Sequence, residues 1–252
     1  GLNVCGESLA DGALAARVHE DAVESLACKR AALRAYETSD GRTEIFHDVI
    51  MPPRPLVVFG AEPDALPLIR QAQAIGWHVT VVDTRARPAS IKRFAEADEV
   101  VLCRADNVAA HISMTENTAA VVMTHNYLDD VELLRVLLPS PATYLGILGP
   151  RERTSKLLEA LGVNTRGAVA GGFARLHSPI GMDIGAETPE EIALSIISEI
   201  RAVCAGRGGG FLRDRNAPIH DERTAEPALT TVVNGLHVPQ SESASLFICH
   251  SS

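Results

Sequence analysis

The chain has 252 residues, a net charge of −9, 46% hydrophobic residues and only 4% aromatic residues. This length fits one full-size α/β domain with additions or two small domains, and the core must be largely aliphatic. The negative charge argues against a nucleic-acid-binding surface and against binding to anionic membranes. No apolar run approaches the roughly 20 residues that a membrane-spanning helix requires.

The five cysteines, Cys5, Cys28, Cys103, Cys204 and Cys249, are scattered without Cys-x-x-Cys spacing. A sparse, odd-numbered set is typical of reduced thiols in a cytosolic protein. The first residues are polar and acidic and do not resemble a signal peptide. We therefore expect a cytoplasmic protein.

Residues 1–52 are interpreted as a partial N-terminal domain and linker. An apolar stripe predicts a helix over about Leu14–Tyr36, and a turn at 39–41 is followed by a strand over Thr43–Ile50. The proline-rich stretch MPPRP at 51–55 marks the boundary of the next domain.

Apolar strands alternate with helical patterns throughout residues 53–206. The strands are continuous in Val, Ile and Leu, which indicates burial on both faces of a parallel sheet. This alternation predicts a Rossmann-like, doubly wound α/β fold. The predicted strands are 55–60, 78–83, 98–103, 119–124 and 143–148, and the predicted helices are about 64–75, 106–112, 129–138 and 151–161.

The turn after the first of these strands resembles a dinucleotide site in outline only. Gly60 ends the strand, and Asp83 lies near the position of a ribose-binding acid. The fingerprint G-x-G-x-x-G/A reads GAEPDA, so that Glu62 replaces the glycine that lets a pyrophosphate approach. Two acids, Glu62 and Asp64, repel a diphosphate unless a metal or an arginine intervenes. NAD(P) binding is therefore not expected; Asp64 is a candidate helix cap, and Asp83 either contacts a ribose hydroxyl of another ligand or caps a turn.

Polar side chains also follow the fourth predicted strand, 119–124. His125 and Asn126 follow this strand and are candidate ligand contacts, the alternative being helix capping by Asn126 or Asp129. No positioned His–Asp pair, Tyr-x-x-x-Lys motif or nucleophile motif is recognised.

Gly149 follows the next predicted strand, and Pro150 is predicted as the first helical residue. Arg151 and Arg153 then lie in the first helical turn, where cations oppose the helix dipole unless they face an anion. We expect both arginines and the free helix N–H groups to bind an anionic ligand. The alternative is a surface salt bridge to Glu152 or a neighbour.

The stretch HSPIGMDIGAETPEEI (177–192) leads into a strongly amphipathic helix. Thr188, Pro189 and Glu191 form a predicted capping box at the helix start. Asp183 and Gly185 lie in the loop before it, together with His177 and Glu187, which permits a metal site or, as we favour, a rigid loop that shapes a polar pocket. From residue 207 to 252 we expect an irregular C-terminal extension.

Several of these stretches together resemble the XdhC/CoxI family, the accessory factors of xanthine dehydrogenase and carbon monoxide dehydrogenase. They are PLVVFGAEPDALPLIRQAQAIGWHVTVVDTR, VVMTHNYLDD, LPSPATYLGILGPRERTSKLLEALG, RLHSPIGMDIGAETPEEIALSIISEI and GRGGGFLRDRNAPIHDE, within about 43–222. GLNVCGES at 1–8 is similar only to a later Gly-x-x-Cys-Gly element of the family's N-terminal domain, with Cys5 as its cysteine.

The resemblance implies a molybdenum-cofactor chaperone rather than an enzyme, so no catalytic residue is assigned. It implies binding of molybdopterin, a homodimer, a cysteine-desulfurase-type partner and delivery to an apo molybdenum hydroxylase. The implied cofactor-binding residues are Gly60, Glu62, Asp83, His125, Asn126, Gly149, Arg151, Arg153, Asp183, Gly185 and Cys5. The alternative function is an NAD(P)-binding oxidoreductase or a nucleotide-sensing Rossmann module.

Overall fold

The computed structural model describes residues 12–38, 41–163 and 174–217, together with the backbone of 245–250. The chain divides into two compact units, one formed by Gly1–Pro52 with Leu212–Ser252 and the other by Pro53–Phe211. Cys5, the predicted turn residues 39–40 and most of the C-terminal extension lie outside the described residues.

The smaller unit contains helix α1 (Gly12–Cys28) and an antiparallel sheet of three strands in the order β1-β2-β9. Its strands are β1 (Ala32–Thr38), β2 (Gly41–Ile50) and β9 (Ser245–His250). The strand β9 was not predicted, because its sequence carries no clear pattern and its partner β2 lies far earlier in the chain.

The prediction of one helix reaching Tyr36 is wrong. The helix ends at Cys28, and Lys29 adopts a positive φ of 54°, which right-handed helices do not accept. The following residues pair with β2, and the Tyr36 side chain is buried with Leu14, Val18 and Ile45. Strand pairing and burial of this ring therefore override the local helical pattern.

The larger unit is built on six parallel strands in the order β5-β4-β3-β6-β7-β8. This is the strand order of a doubly wound Rossmann-like sheet, and the prediction of that fold is confirmed. The two-residue β8 was not predicted. The strands are β3 (Pro55–Phe59), β4 (His78–Asp83), β5 (Glu99–Leu102), β6 (Ala119–Val122), β7 (Tyr144–Ile147) and β8 (Leu176–His177).

In the larger unit, the helices lie where the sequence predicted them to within a few residues, with two exceptions. The short α3 was not predicted, and the helix predicted over 106–112 is a 3₁₀ helix over Ala105–Ala110. Short 3₁₀ segments span Pro63–Ala65, Ala105–Ala110 and Leu212–Asp214. The α-helices of the larger unit are α2 (Leu66–Ala74), α3 (Ala89–Arg93), α4 (Tyr127–Leu137), α5 (Arg151–Ala160) and α6 (Pro189–Cys204).

Both faces of the parallel sheet are buried, which explains its continuous apolar strands. In β3, Leu56 and Val58 belong to a core that includes residues of α2 and α6. The alternate residues Val57 and Phe59 belong to a second core with residues of α4 and α5. Because successive side chains of a strand point to opposite faces, each face of the sheet receives half of the side chains of each strand.

Within the described part of the chain, no helix combines the length and the apolar character that crossing a bilayer demands.

Candidate functional site

A crevice opens where the strand order reverses, at the carboxyl ends of β3 and β6. Gly60 directly follows β3 with a positive φ of 129°, and a Cβ there would stand 2.7 Å from the Met123 carbonyl oxygen. Only glycine allows this close approach. The crevice holds an open cleft of about 690 Å³, lined by Glu62, Pro63, Asp64, Pro67, Arg85, His125, Pro189 and Glu190.

The negative charge of Glu62 is paired with two arginines. Its Oε1 accepts from Arg87 at 3.0 Å and lies 3.2 Å from an Arg85 nitrogen. Arg87 also donates to the Ala61 carbonyl at 3.1 Å. The repulsion that Glu62 would exert on an anionic ligand is therefore offset by two guanidinium groups.

Asp83 holds together the turn that follows β4. Its carboxylate accepts from the N–H groups of Arg85 and Arg87, from the Arg87 side chain at 3.0 Å and from the Ser90 hydroxyl at 2.5 Å. Burial alone would raise the pKa of Asp83, but the hydrogen bonds from Ser90, Arg87 and Arg85 outweigh it, so this pKa lies below its ordinary value. Four donors occupy the carboxylate, which supports the turn-capping role over a ribose contact.

The structure brings together a His–Asp pair that the sequence did not reveal. His125 Nε2 lies 3.1 Å from Asp64 Oδ2, although 61 positions separate the two residues. The predicted capping role of Asp64 is wrong, because no side chain caps the 3₁₀ turn or α2.

Asn126 caps helix α4. Its side-chain oxygen accepts the Leu128 N–H at 3.0 Å. The capping alternative is thus confirmed for Asn126, and a ligand contact by the same residue stays a prediction.

Arg153 is engaged by a buried carboxylate. It donates to Asp130 Oδ2 at 2.6 Å through Nη2 and at 3.2 Å through Nε, while Thr124 donates to Asp130 Oδ1. Burial raises the pKa of Asp130 against the opposing effect of the Thr124 and Arg153 hydrogen bonds. A salt bridge therefore accounts for Arg153, but its partner is the buried Asp130 and not a surface group such as Glu152.

Arg151 differs from Arg153 although both lie in the first turn of α5. Its side chain is exposed and forms no ion pair with any residue that the structure describes. Pro150 is the N-cap residue and not the first helical residue, which corrects the prediction by one position, and no side chain caps this helix. Gly149 precedes it with a positive φ of 123°. The Arg153 N–H donates to the Pro150 carbonyl at 3.0 Å. The Arg151 side chain and the N–H groups of Arg151 and Glu152 are therefore available to an anion.

The predicted capping box of α6 is confirmed. Thr188 accepts the Glu191 N–H at 3.3 Å, and the Glu191 carboxylate accepts the Thr188 N–H at 2.9 Å. In the preceding loop Asp183 is exposed, and Gly185 has a positive φ of 71°.

His177 contributes to a partly buried polar network. Its Nδ1 lies 3.1 Å from Glu199 Oε1, and its ring stacks on Tyr144 with centroids 4.5 Å apart. Tyr144 and the Gly181 N–H both donate to the other Glu199 oxygen. No cluster of three metal-ligating side chains occurs among the described residues, so the metal interpretation of this loop has no support.

A doubly wound sheet with a ligand crevice at its point of reversal defines a Rossmann-type binding domain. Residues 56–200 match the family model described as the XdhC Rossmann domain. The chain therefore belongs to the XdhC family.

Similar proteins agree with this assignment. The chain is 34% identical over 161 residues to a Bacillus subtilis (strain 168) protein whose name is that of a probable xanthine dehydrogenase subunit, covering 64% of this chain and 46% of that protein. It is 29% identical to the uncharacterized protein YqeB of Escherichia coli (strain K12), covering 67% of this chain and 30% of YqeB. The chain thus spans less than half the length of both relatives.

A solved structure shares the fold. It is described as a xanthine dehydrogenase from Bacillus halodurans and superposes with a TM-score of 0.57 and 24% sequence identity. The match covers 75% of this chain and 67% of that chain.

Proposed function

We propose that this protein binds the molybdenum cofactor and assists its insertion into a molybdenum hydroxylase of the xanthine dehydrogenase type. Membership of the XdhC family and the name of the Bacillus subtilis relative support this role. The observation that carries the proposal is the start of α5, where the Arg151 side chain and the N–H groups of Arg151 and Glu152 are available to the phosphate of a pterin cofactor.

The chemistry of the residues fits such a group. A phosphate monoester carries up to two negative charges and is well bound by a guanidinium together with a helix N-terminus. Arg153 is satisfied by Asp130, so Arg151 is the residue of the pair that we assign to the ligand. When bound, the cofactor would supply the redox-active molybdenum centre to the recipient enzyme, and this chain would supply binding and protection.

The nucleotide alternative is less well supported by the contacts at the fingerprint. The second glycine of a dinucleotide fingerprint is Glu62, and Asp83 has its acceptor capacity taken by Arg85, Arg87 and Ser90. If the protein does bind NAD(P), Glu62→Gly should strengthen that binding because it removes a side chain and a charge.

The expected partners follow from the same role. An apo molybdenum hydroxylase would receive the cofactor, a cysteine-desulfurase-type protein would act on its terminal sulfur, and the chain would work as a homodimer in the cytoplasm. Gly60, Glu62, His125, Gly149, Asp183 and Gly185 complete the proposed binding set of the larger unit.

Binding titrations of the full chain test this function. One titration uses released molybdenum cofactor, and parallel titrations use NADH and NADPH. We expect the cofactor to be retained and both nucleotides to bind weakly or not at all. Arg151→Ala should reduce retention at least tenfold, whereas Arg135→Ala, which removes an exposed arginine from the last turn of α4, should not change it.

Tight nucleotide binding without cofactor retention would overturn the proposal and favour the nucleotide alternative. Equal losses in Arg151→Ala and Arg135→Ala would contradict the assignment of Arg151.

A further inference from the structure

The turn after β3 is poor in free N–H groups, which a bound diphosphate requires. A dinucleotide site presents the backbone N–H groups of this turn to the pyrophosphate. Here the Gly60 N–H donates to the Val82 carbonyl at 3.0 Å, and the Ala65 N–H donates to the Glu62 carbonyl at 3.1 Å. Pro63 has no N–H to donate. The backbone of this turn therefore offers few donors to a diphosphate.

The cations beside this turn are held by carboxylates of the protein itself. Arg87 donates through Nε to the buried Asp83 at 3.0 Å and through Nη1 to Glu62 Oε1 at 3.0 Å. The same Glu62 oxygen lies 3.2 Å from Arg85 Nη1. The remaining nitrogen of Arg87, Nη2, donates to the Ala61 carbonyl at 3.1 Å. Two carboxylates and two guanidinium groups thus form a cluster without net charge.

This cluster forms part of the wall of the cleft. Glu62 and Arg85 both line it, and Glu62 stands at the position of the second glycine of a dinucleotide fingerprint. Guanidinium groups bind carboxylates and phosphates through the same donors, so a phosphate at these arginines has to displace Glu62. The other ionisable residues of the lining are the acids Asp64 and Glu190 and His125, which pairs with Asp64. The cleft lining therefore has no excess of positive charge to attract a diphosphate.

We propose that Glu62 is a specificity-determining residue, whose carboxylate takes the place of a ligand phosphate between Arg85 and Arg87 and excludes dinucleotides and other diphosphates from the cleft. Removal of this carboxylate leaves the cluster with one positive charge and opens space beside the two arginines. The anionic group of the natural ligand then binds elsewhere, at the start of α5. This last step rests on the proposed function, in which Arg151 binds a phosphate monoester.

Glu62→Ala provides the test, with inorganic pyrophosphate and NADPH as the probes. Isothermal titration calorimetry of the full chain measures the dissociation constant of each probe. We expect weak binding to the wild-type protein and about tenfold tighter binding to Glu62→Ala, because Arg85 and Arg87 lose the carboxylate that they share. The double variant Glu62→Ala/Arg85→Ala should bind both probes no more tightly than the wild type.

Glu96→Ala is the matched control. Glu96 also pairs with an arginine, Arg70, at 2.6 Å, but both side chains are more than half exposed and neither lines the cleft. Its removal frees one guanidinium group on an open surface and should leave both dissociation constants unchanged. Glu62→Gln removes the charge but keeps the volume of the side chain, so it provides a second variant that disturbs the turn less. It should bind the probes more tightly than the wild type and less tightly than Glu62→Ala.

The inference is overturned if the wild type binds the probes as tightly as Glu62→Ala does, or if neither Glu62 variant gains affinity. It is also overturned if Glu96→Ala gains as much, or if the gain persists in the double variant. Retention of released molybdenum cofactor by the wild type decides the proposed function separately. No retention together with a gain in Glu62→Ala would refute the proposed function and support the role of Glu62, whereas retention without that gain would do the reverse.

Discussion

Arg153 and Asp130 form an ion pair that joins the first turns of the neighbouring helices α5 and α4. Two nitrogens of Arg153 share one oxygen of Asp130, and Thr124 donates to the other. Asp130 is only 1% exposed, so its charge depends on these partners. The pair fixes the two helix N-termini that border the sheet edge, and it leaves Arg151 as the arginine of α5 available to a ligand.

Removing Arg153 should destabilise the protein strongly. Arg153→Ala leaves a buried carboxylate without its cation, which costs about 3–5 kcal/mol in the free energy of unfolding. Arg151→Ala should change this quantity by less than about 0.5 kcal/mol, because the side chain is exposed. Urea denaturation followed by circular dichroism measures both. Equal effects of the two substitutions would contradict the distinction between them.

Gly60 should not tolerate a side chain. Gly60→Ala places a Cβ 2.7 Å from the Met123 carbonyl oxygen at a φ of 129°, which we expect to cost about 1–3 kcal/mol in the free energy of unfolding. Gly76→Ala is the control, because Gly76 has a positive φ of 79° but open space around its Cα. A thermal-melt series in which both variants lose the same stability would show that the close approach to β6 is unimportant.

The capping box of α6 should contribute measurably to stability. Thr188→Ala removes the acceptor for the Glu191 N–H and should cost about 0.5–2 kcal/mol. Glu191→Ala should act in the same direction, since its carboxylate accepts the N–H groups of Thr188 and Glu187. Glu190→Ala, in the same helical turn but outside the box, is the control. In chemical denaturation, Thr188→Ala and Glu191→Ala should have a lower free energy of unfolding than Glu190→Ala. The opposite ranking would refute a role for the capping box.

Asp83 should make stability sensitive to acid. Its folded-state pKa is lowered by the hydrogen bonds that outweigh burial. The carboxylate therefore contributes stability that is present above the unfolded-state pKa of about 3.9, and this contribution disappears as the pH falls through the lower folded-state value.

The measurement is the unfolding free energy from pH 7 to pH 2 for three proteins. Asp83→Asn should be less stable than wild type at pH 7, and the difference should shrink as the pH falls below about 4. Asp183→Asn, at an exposed carboxylate, should run parallel to wild type. A constant difference between Asp83→Asn and wild type across this range would contradict the assignment.

Most of the parallel sheet could be predicted from the sequence, because each strand is a continuous apolar run bounded by turn residues. The residues His78–Asp83 of β4 were predicted without error. The hairpin strand β1 was not predicted, because Leu33 and Tyr36 also continue the apolar stripe of an apparent helix. Only the pairing of β1 with β2 decides between the periodicity of a helix and that of a strand.

The candidate site was predictable in part. The positions of Gly60, Glu62, His125 and Arg151 at strand ends follow from the parallel fold, because such ends share one edge of the sheet. The partners of these residues were not predictable. Arg153 finds Asp130 on another helix, and Asp83 finds Arg87 within a turn whose geometry the sequence does not specify.

The sequence by itself determined the strand–helix alternation, the capping box at Thr188 and the glycine at position 60. These features depend on local periodicity, on hydrogen bonds within one helical turn or on the absence of a Cβ. Only the tertiary structure decided which charges are paired and which face the cleft. The meeting of His125 with Asp64 requires β3 and β6 to lie side by side, and that contact is a property of the folded sheet.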